Sequence, residues 1–163
     1  MHDKSIDILN RVVRDELAAV HQYMYFHFHC DDQGYDLLAS LFKKTAIEEM
    51  IHVERAAERI LFLEGDVDMK TAEDAQPIRD VGEMLARAAQ MEKESAEEYN
   101  RWANEVGADN DSATKRLLES LVDDEERHYD QYTQEIDNLK RFGEKYLALQ
   151  SIERSKGYSG GEG

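Results

Sequence analysis

Two short stretches of the sequence carry the residue types of a metal site at ligand spacing: Glu49-Met50-Ile51-His52 and Glu125-Glu126-Arg127-His128. A carboxylate followed three residues later by an imidazole puts both side chains on one helix face about one turn apart, as two ligands of one ion require. A single copy is weak in a Glu-rich chain. Here each copy is preceded by a further glutamate 33 residues earlier, Glu16 before Glu49 and Glu92 before Glu125, and each of these is followed seven residues on by a tyrosine, Tyr23 and Tyr99. Four buried carboxylates without compensation would cost more than a domain can absorb, because like charges repel and lose hydration in a low dielectric. Four glutamates and two neutral imidazoles match two divalent cations, each with one histidine, leaving carboxylates to bridge. This mixed oxygen and imidazole set suits iron or manganese.

The spacing requires two helical hairpins. Apolar residues recur at three and four from Ile6 through Leu9, Val13, Leu17, Val20 and Met24 to Phe28, with Glu16 beside that face, and the Asp31-Asp32-Gln33-Gly34 cluster reads as a turn. A second helix closes at Gly65, a connection with the chain's single proline follows, and a third and a fourth helix are separated near Gly107-Ala108-Asp109-Asn110. Asp111 or Ser112 caps the fourth. Centred on Gln33, Glu16 and Glu49 lie level to within about one 1.5 Å rise, and Glu92 and Glu125 do so about Ala108. All six ligands can meet in mid-bundle. The connection over about 66–79 is long enough to run the length of the bundle, so helices two and three can be parallel. The predicted fold is all-α, a four-helix bundle with a long crossover between helices 2 and 3 and a short fifth helix. Its helices span about 5–30, 35–64, 79–106, 111–142 and 144–154 of a single domain, 1–156, followed by a flexible glycine-rich tail, 157–163.

Composition narrows the function. With 163 residues, 36 acidic against 20 basic groups and a formal charge of −16, the chain favours cations over nucleic acid or an anionic membrane. Its one cysteine, Cys30, excludes an intrachain disulfide and any Cys-x-x-Cys site. There is no apolar run of membrane-spanning length, and the expectation is a soluble cytoplasmic protein.

Residues 5 to about 154 resemble a bacterioferritin. RDELAAVHQYM around Glu16, EEMIHVERAAERILFLEG around Glu49, VGEMLARAAQMEKES around Glu92 and DDEERHYDQY around Glu125 match that family in order and spacing. The resemblance implies that Glu16, Glu49, His52, Glu92, Glu125 and His128 bind two iron ions per subunit as a ferroxidase centre, with Tyr23 as the tyrosine beside it. It implies oxidation of Fe(II) by dioxygen or peroxide and storage of the mineral in a shell of twenty-four subunits built from two-fold dimers. An external reductant such as a ferredoxin would release the iron.

Met50 lies about 100° round the helix from Glu49, with His52 on the other side, so it points to the subunit exterior. Interface packing is the plain explanation. The resemblance instead makes Met50 an axial ligand of a haem shared between two subunits. It also places Asp32, Glu64, Asp130 and Asp137 at a pore that admits iron. At the family's inner-surface iron site the chain departs, with Lys44 where some members have histidine, although Glu48 keeps a carboxylate. His21, His27, His29 and Cys30 project to different faces and read as structural. The rival readings are a rubrerythrin-like di-iron peroxidase with an external electron donor, and a haem carrier or shell whose bundle metal is static.

Overall fold

A computed structural model describes residues 2–159, which form α1 (Asp3–Asp32), α2 (Asp36–Phe62), α3 (Val81–Ala108), α4 (Ser112–Phe142) and α5 (Glu144–Ser159). Each long helix buries residues spaced alternately by four and three. On α1 the buried row is Ser5, Leu9, Val12, Glu16, Ala19, Tyr23, Phe26 and Cys30, and on α4 it is Thr114, Leu118, Leu121, Glu125, His128 and Tyr132. This is the heptad seam of a left-handed bundle, in which side chains at such positions interlock around a common axis. The row on α1 differs from the stripe predicted from its apolar residues: Leu17, Val20 and Met24 are only half-buried and Phe28 is exposed. Glu16 sits in the middle of the seam rather than beside it. A carboxylate breaks an apolar pattern in sequence, yet here it occupies a core position.

α1 pairs with α2 and α3 with α4 as antiparallel hairpins. The first turn closes at Gly34, whose φ of 85° and N–H bond to Asp31 O, with Tyr35 N bonding Cys30 O, end α1 in a left-handed cap. Between α2 and α3 the chain returns along α1. Asp68 N donates to Asn10 Oδ1 at 2.8 Å, Arg14 pairs with Asp68, and Gln76 N donates to Gln22 Oε1 at 2.7 Å. Asn10, Arg14 and Gln22 share one helix face, so this strand of coil is fastened along its length and α3 starts where α2 started. α2 and α3 are parallel.

α2 ends differently from the sequence expectation. The left-handed residue is Glu64 (φ 65°), not Gly65, and Gly65 is required for space instead: a Cβ there would stand 2.8 Å from Ile6 Cγ2. Asp80 Oδ2 caps α3 by accepting from Glu83 N at 3.0 Å, and Asp111 Oδ1 caps α4 by accepting from Thr114 N at 3.1 Å. α5 leans on the turn end of the bundle, with Arg154 paired to Asp31 and Asp36 and Gln150 Oε1 accepting from Leu38 N at 3.2 Å. It continues three residues into the segment expected as a tail, and 160–163 lie outside the described residues.

Candidate metal centre

The seam positions half-way along the four helices hold Glu16, Glu49, His52, Glu92, Glu125 and His128, none more than 2% exposed. Apolar side chains close the layer from both ends. Val12, Val13, Val53, Ala56, Trp102 and Leu121 pack on one side, and Phe26, Phe42, Leu85, Ala88 and Tyr132 on the other. Bulk water is thereby kept from the polar layer, and the charges in it interact strongly.

Within the layer the side chains form two overlapping groups, Glu16, Glu49, His52 and Glu125, and Glu49, Glu92, Glu125 and His128. In each group the potential ligand atoms lie within 4.8 Å of one another, and Glu49 and Glu125 belong to both. His52 Nδ1 is 3.5 Å from Glu16 and 3.1 Å from Glu125, while His128 Nδ1 is 2.9 Å from Glu49 and 3.4 Å from Glu92. Of the ten buried side-chain nitrogen and oxygen atoms without a hydrogen-bond partner among the described residues, seven belong to these six residues. Buried polar atoms are ordinarily satisfied. A concentration of orphaned acceptors aimed at two common points is the arrangement that two cations complete, and this donor set fits iron.

Neighbouring groups hold the cluster in place. Tyr99 on α3 donates its hydroxyl to Glu16 on α1, and Tyr23 on α1 donates to Glu92 on α3. The sequence repeat contains both tyrosines, whereas the family resemblance singles out Tyr23 alone. On the far side of each imidazole, His52 Nε2 lies 2.8 Å from Asp124 Oδ2, and His128 Nε2 contacts Glu48 Oε2. A carboxylate can only accept, so each Nε2 carries the hydrogen and each Nδ1 is turned to the metal points. Glu48 therefore supports a ligand of the opposite hairpin, and Asp124 reciprocates. The available signal was a carboxylate directly before each motif glutamate, Glu48-Glu49 and Asp124-Glu125.

Without metal, protons carry the compensation. Burial, together with the charges of Glu49 and Glu92, pushes the Glu125 carboxyl well above its ordinary range, and burial and Glu49 raise Glu92. Burial alone would raise Glu49 as well, but the His128 and His52 imidazoles overcome it and hold Glu49 low. Burial opposes charge on the imidazoles, yet Glu49 raises both, aided by Asp124 at His52 and by Glu92 at His128. Divalent ions would replace these protons.

The remaining assigned residues are not gathered in this way. Met50 is exposed on the outside of α2, in a patch with Ile47 and Ile51. Asp32, Glu64, Asp130 and Asp137 are all exposed, and Asp32 and Glu64 lie at opposite ends of the bundle, so one chain does not bring the four together. Among the described residues the two groups above are the candidate metal clusters. Cys30 is free and buried, with Sγ 3.6 Å from Met84 Sδ, and His27 Nδ1 lies 2.7 Å from Ala39 O.

Two Glu-Tyr and Glu-x-x-His hairpins around a buried double carboxylate cluster define a ferritin-like di-metal protein. A ferritin family model, described as a ferritin-like domain, matches residues 6–142. The chain is 33% identical over 145 residues to a bacterioferritin of Desulfovibrio desulfuricans, covering 89% of this chain and 81% of that one. It is 31% identical over 142 residues to the bacterioferritin of Brucella melitensis, covering 87% and 88%. An X-ray structure of the Desulfovibrio desulfuricans bacterioferritin, which describes its diiron site in different catalytic states, superposes with a TM-score of 0.89 at 32% identity over 91% of this chain and 86% of that chain. The chain belongs to the bacterioferritin family. Iron storage with oxidative chemistry at an intrasubunit di-iron site is the function that this membership and the cluster support.

Proposed function

We propose that the chain oxidises Fe(II) to Fe(III) between Glu16, Glu49, His52, Glu92, Glu125 and His128, and stores the product as a mineral inside a hollow shell. The observation that carries this reading is the overlap of the two buried clusters at Glu49 and Glu125. Glu16 and His52 would hold one iron, Glu92 and His128 the other, and the two shared carboxylates would bridge them. Each Fe(II) gives up one electron, so a pair supplies the two that reduce dioxygen and two protons to hydrogen peroxide, or peroxide and two protons to water. Carboxylate oxygens favour the harder ferric ion, which makes oxidation easier. Tyr23 and Tyr99 orient the two terminal carboxylates, and Asp124 and Glu48 orient the two imidazoles.

Assembly and haem belong to the same proposal. Ile47, Met50 and Ile51 leave an apolar patch on α2 that a second copy would cover, and the outward thioether of Met50 within it is a suitable axial ligand for a haem shared across a two-fold axis. Twenty-four copies would close the shell, with Asp32, Glu64, Asp130 and Asp137 meeting at pores between subunits. A cytoplasmic setting fits the free Cys30, and a ferredoxin-like reductant would supply electrons for release.

Aerobic addition of Fe(II), followed by ferric absorbance and mineral content, tests the reading. Wild type should oxidise and retain iron, and Glu92→Ala should lose most of the rapid phase. Equal rates would remove the site from the mechanism. Rapid peroxide turnover with no retained mineral would favour a rubrerythrin-like peroxidase instead.

A further inference from the structure

The two histidines of the cluster are joined on their outer side by a chain of charged groups. His128 Nε2 contacts Glu48 Oε2, and that oxygen lies 2.7 Å from Arg127 Nη2. The same nitrogen is 3.4 Å from Asp124 Oδ1, and Asp124 Oδ2 is 2.8 Å from His52 Nε2. One guanidinium thus spans a carboxylate of α2 and a carboxylate of α4. The side chains of Arg127, Glu48 and Asp124 are 45%, 23% and 34% exposed, so this second layer reaches the surface while the histidines behind it do not. The corresponding position of the first motif is Ile51, which is apolar and faces outward. A single arginine, inside one motif only, serves both hairpins.

Two half-buried carboxylates held this close repel each other and form a ready site for a cation. Arg127 supplies a fixed positive charge there, with N–H groups already directed at both. We propose that Arg127 is the resident counter-ion of the Glu48–Asp124 pair, clamping the carboxylates that anchor His52 and His128 and keeping a third metal ion off them. This role rests on the di-metal reading of the cluster. It makes Arg127 a positioning and specificity residue that touches neither iron nor oxidant, and it limits the subunit to two tightly held ions. Iron leaving the cluster on this side passes a cation rather than a further binding site.

Counting Co(II) ions per subunit by anaerobic equilibrium dialysis, with the visible Co(II) absorption as a second readout, tests the proposal. Wild type and Arg127→Lys should take up two ions. Arg127→Ala should take up three, with altered absorption from the first additions because the histidine anchors are no longer clamped. The extra ion should vanish again in the double variant Arg127→Ala/Glu48→Gln, which places it on the freed carboxylates. Two ions in Arg127→Ala, with wild-type affinity and absorption, would overturn the role of Arg127 alone. Failure of wild type itself to bind a pair of ions would overturn the di-metal reading and this role with it.

Discussion

The Tyr99 hydroxyl on α3 donates to the Glu16 carboxylate on α1, and the reverse pairing, Tyr23 on α1 to Glu92 on α3, completes a two-fold relation between the hairpins. Each tyrosine is fully buried and each accepting carboxylate is 1% exposed. Loss of either hydroxyl leaves a buried carboxylate short of a donor, a change that typically costs about 1–3 kcal/mol. Tyr23→Phe and Tyr99→Phe should each weaken binding of one metal ion by roughly 10–100-fold, the range typical of groups that orient ligands. Calorimetric titration with Zn(II) reads this directly. A loss in Tyr23→Phe with none in Tyr99→Phe would show that the two hairpins are not equivalent.

Metal binding should release protons and stabilise the chain more strongly as pH rises. Glu92 and Glu125 have raised pKa values in the folded metal-free protein. For a raised group, the favourable contribution is complete below the unfolded value, about 4.3 for glutamate, and is lost as pH rises through the folded value. The raised His52 and His128 follow the same sign, from about 6.5 upward. The metal-free protein therefore begins to lose this support between pH 5 and pH 8, the part due to His128 declining on toward pH 11, while ions compete better as protons leave. Thermal melts with and without Zn(II) should show a widening Tm difference over that range. A difference independent of pH would contradict the proton-for-metal exchange.

Asp111 should act as an acid-sensitive knot at the other end of the bundle. It caps α4, accepts from Ser5 Oγ of α1 at 2.7 Å and pairs with Arg59 of α2 at 2.8 Å. Burial opposes its charge, but the bonds from Thr114 and Ser5 and the Arg59 guanidinium lower its pKa from 3.8 to about 2. Its contribution is present above the ordinary aspartate range and is lost as pH falls toward 2. Asp111→Ala should cost about 2–4 kcal/mol at neutral pH in urea unfolding, from the lost cap and an unpaired Arg59. The deficit relative to wild type should shrink below pH 3.

At the end of α2 the two neighbouring residues should respond in opposite directions. Gly65→Ala drives a Cβ into Ile6 and should destabilise by about 1–3 kcal/mol. Glu64→Gly relieves a left-handed backbone at φ 65° and should stabilise by several tenths of a kcal/mol, up to about 1. Denaturant midpoints of the two variants measure both signs.

The convergence of the six cluster residues was legible because metal ligation demands particular residue types at helical spacing, and the duplication at 33 residues aligned them without knowledge of packing. The all-α bundle and its long crossover followed from the same register. Apolar periodicity puts Glu16 beside the seam, because a carboxylate counts as polar in such a pattern, whereas the cluster makes it a core residue. The anchors Glu48, Asp124 and Arg127 were hidden because they pair across hairpins, between residues whose types are those of an ordinary solvated surface. Likewise, Asp32, Glu64, Asp130 and Asp137 are dispersed within one chain, so any pore they line depends on contacts with other copies.

With Glu49 and Glu125 common to both clusters, these two carboxylates would bridge two metal ions, each completed by one glutamate and one histidine. Anomalous diffraction at the metal edge from crystals loaded anaerobically with Fe(II) tests it most directly. Two peaks roughly 3.5–4 Å apart should appear, one beside Glu16 and His52 and the other beside Glu92 and His128, with Glu49 and Glu125 contacting both. A single peak, or two peaks with no shared carboxylate, would contradict it.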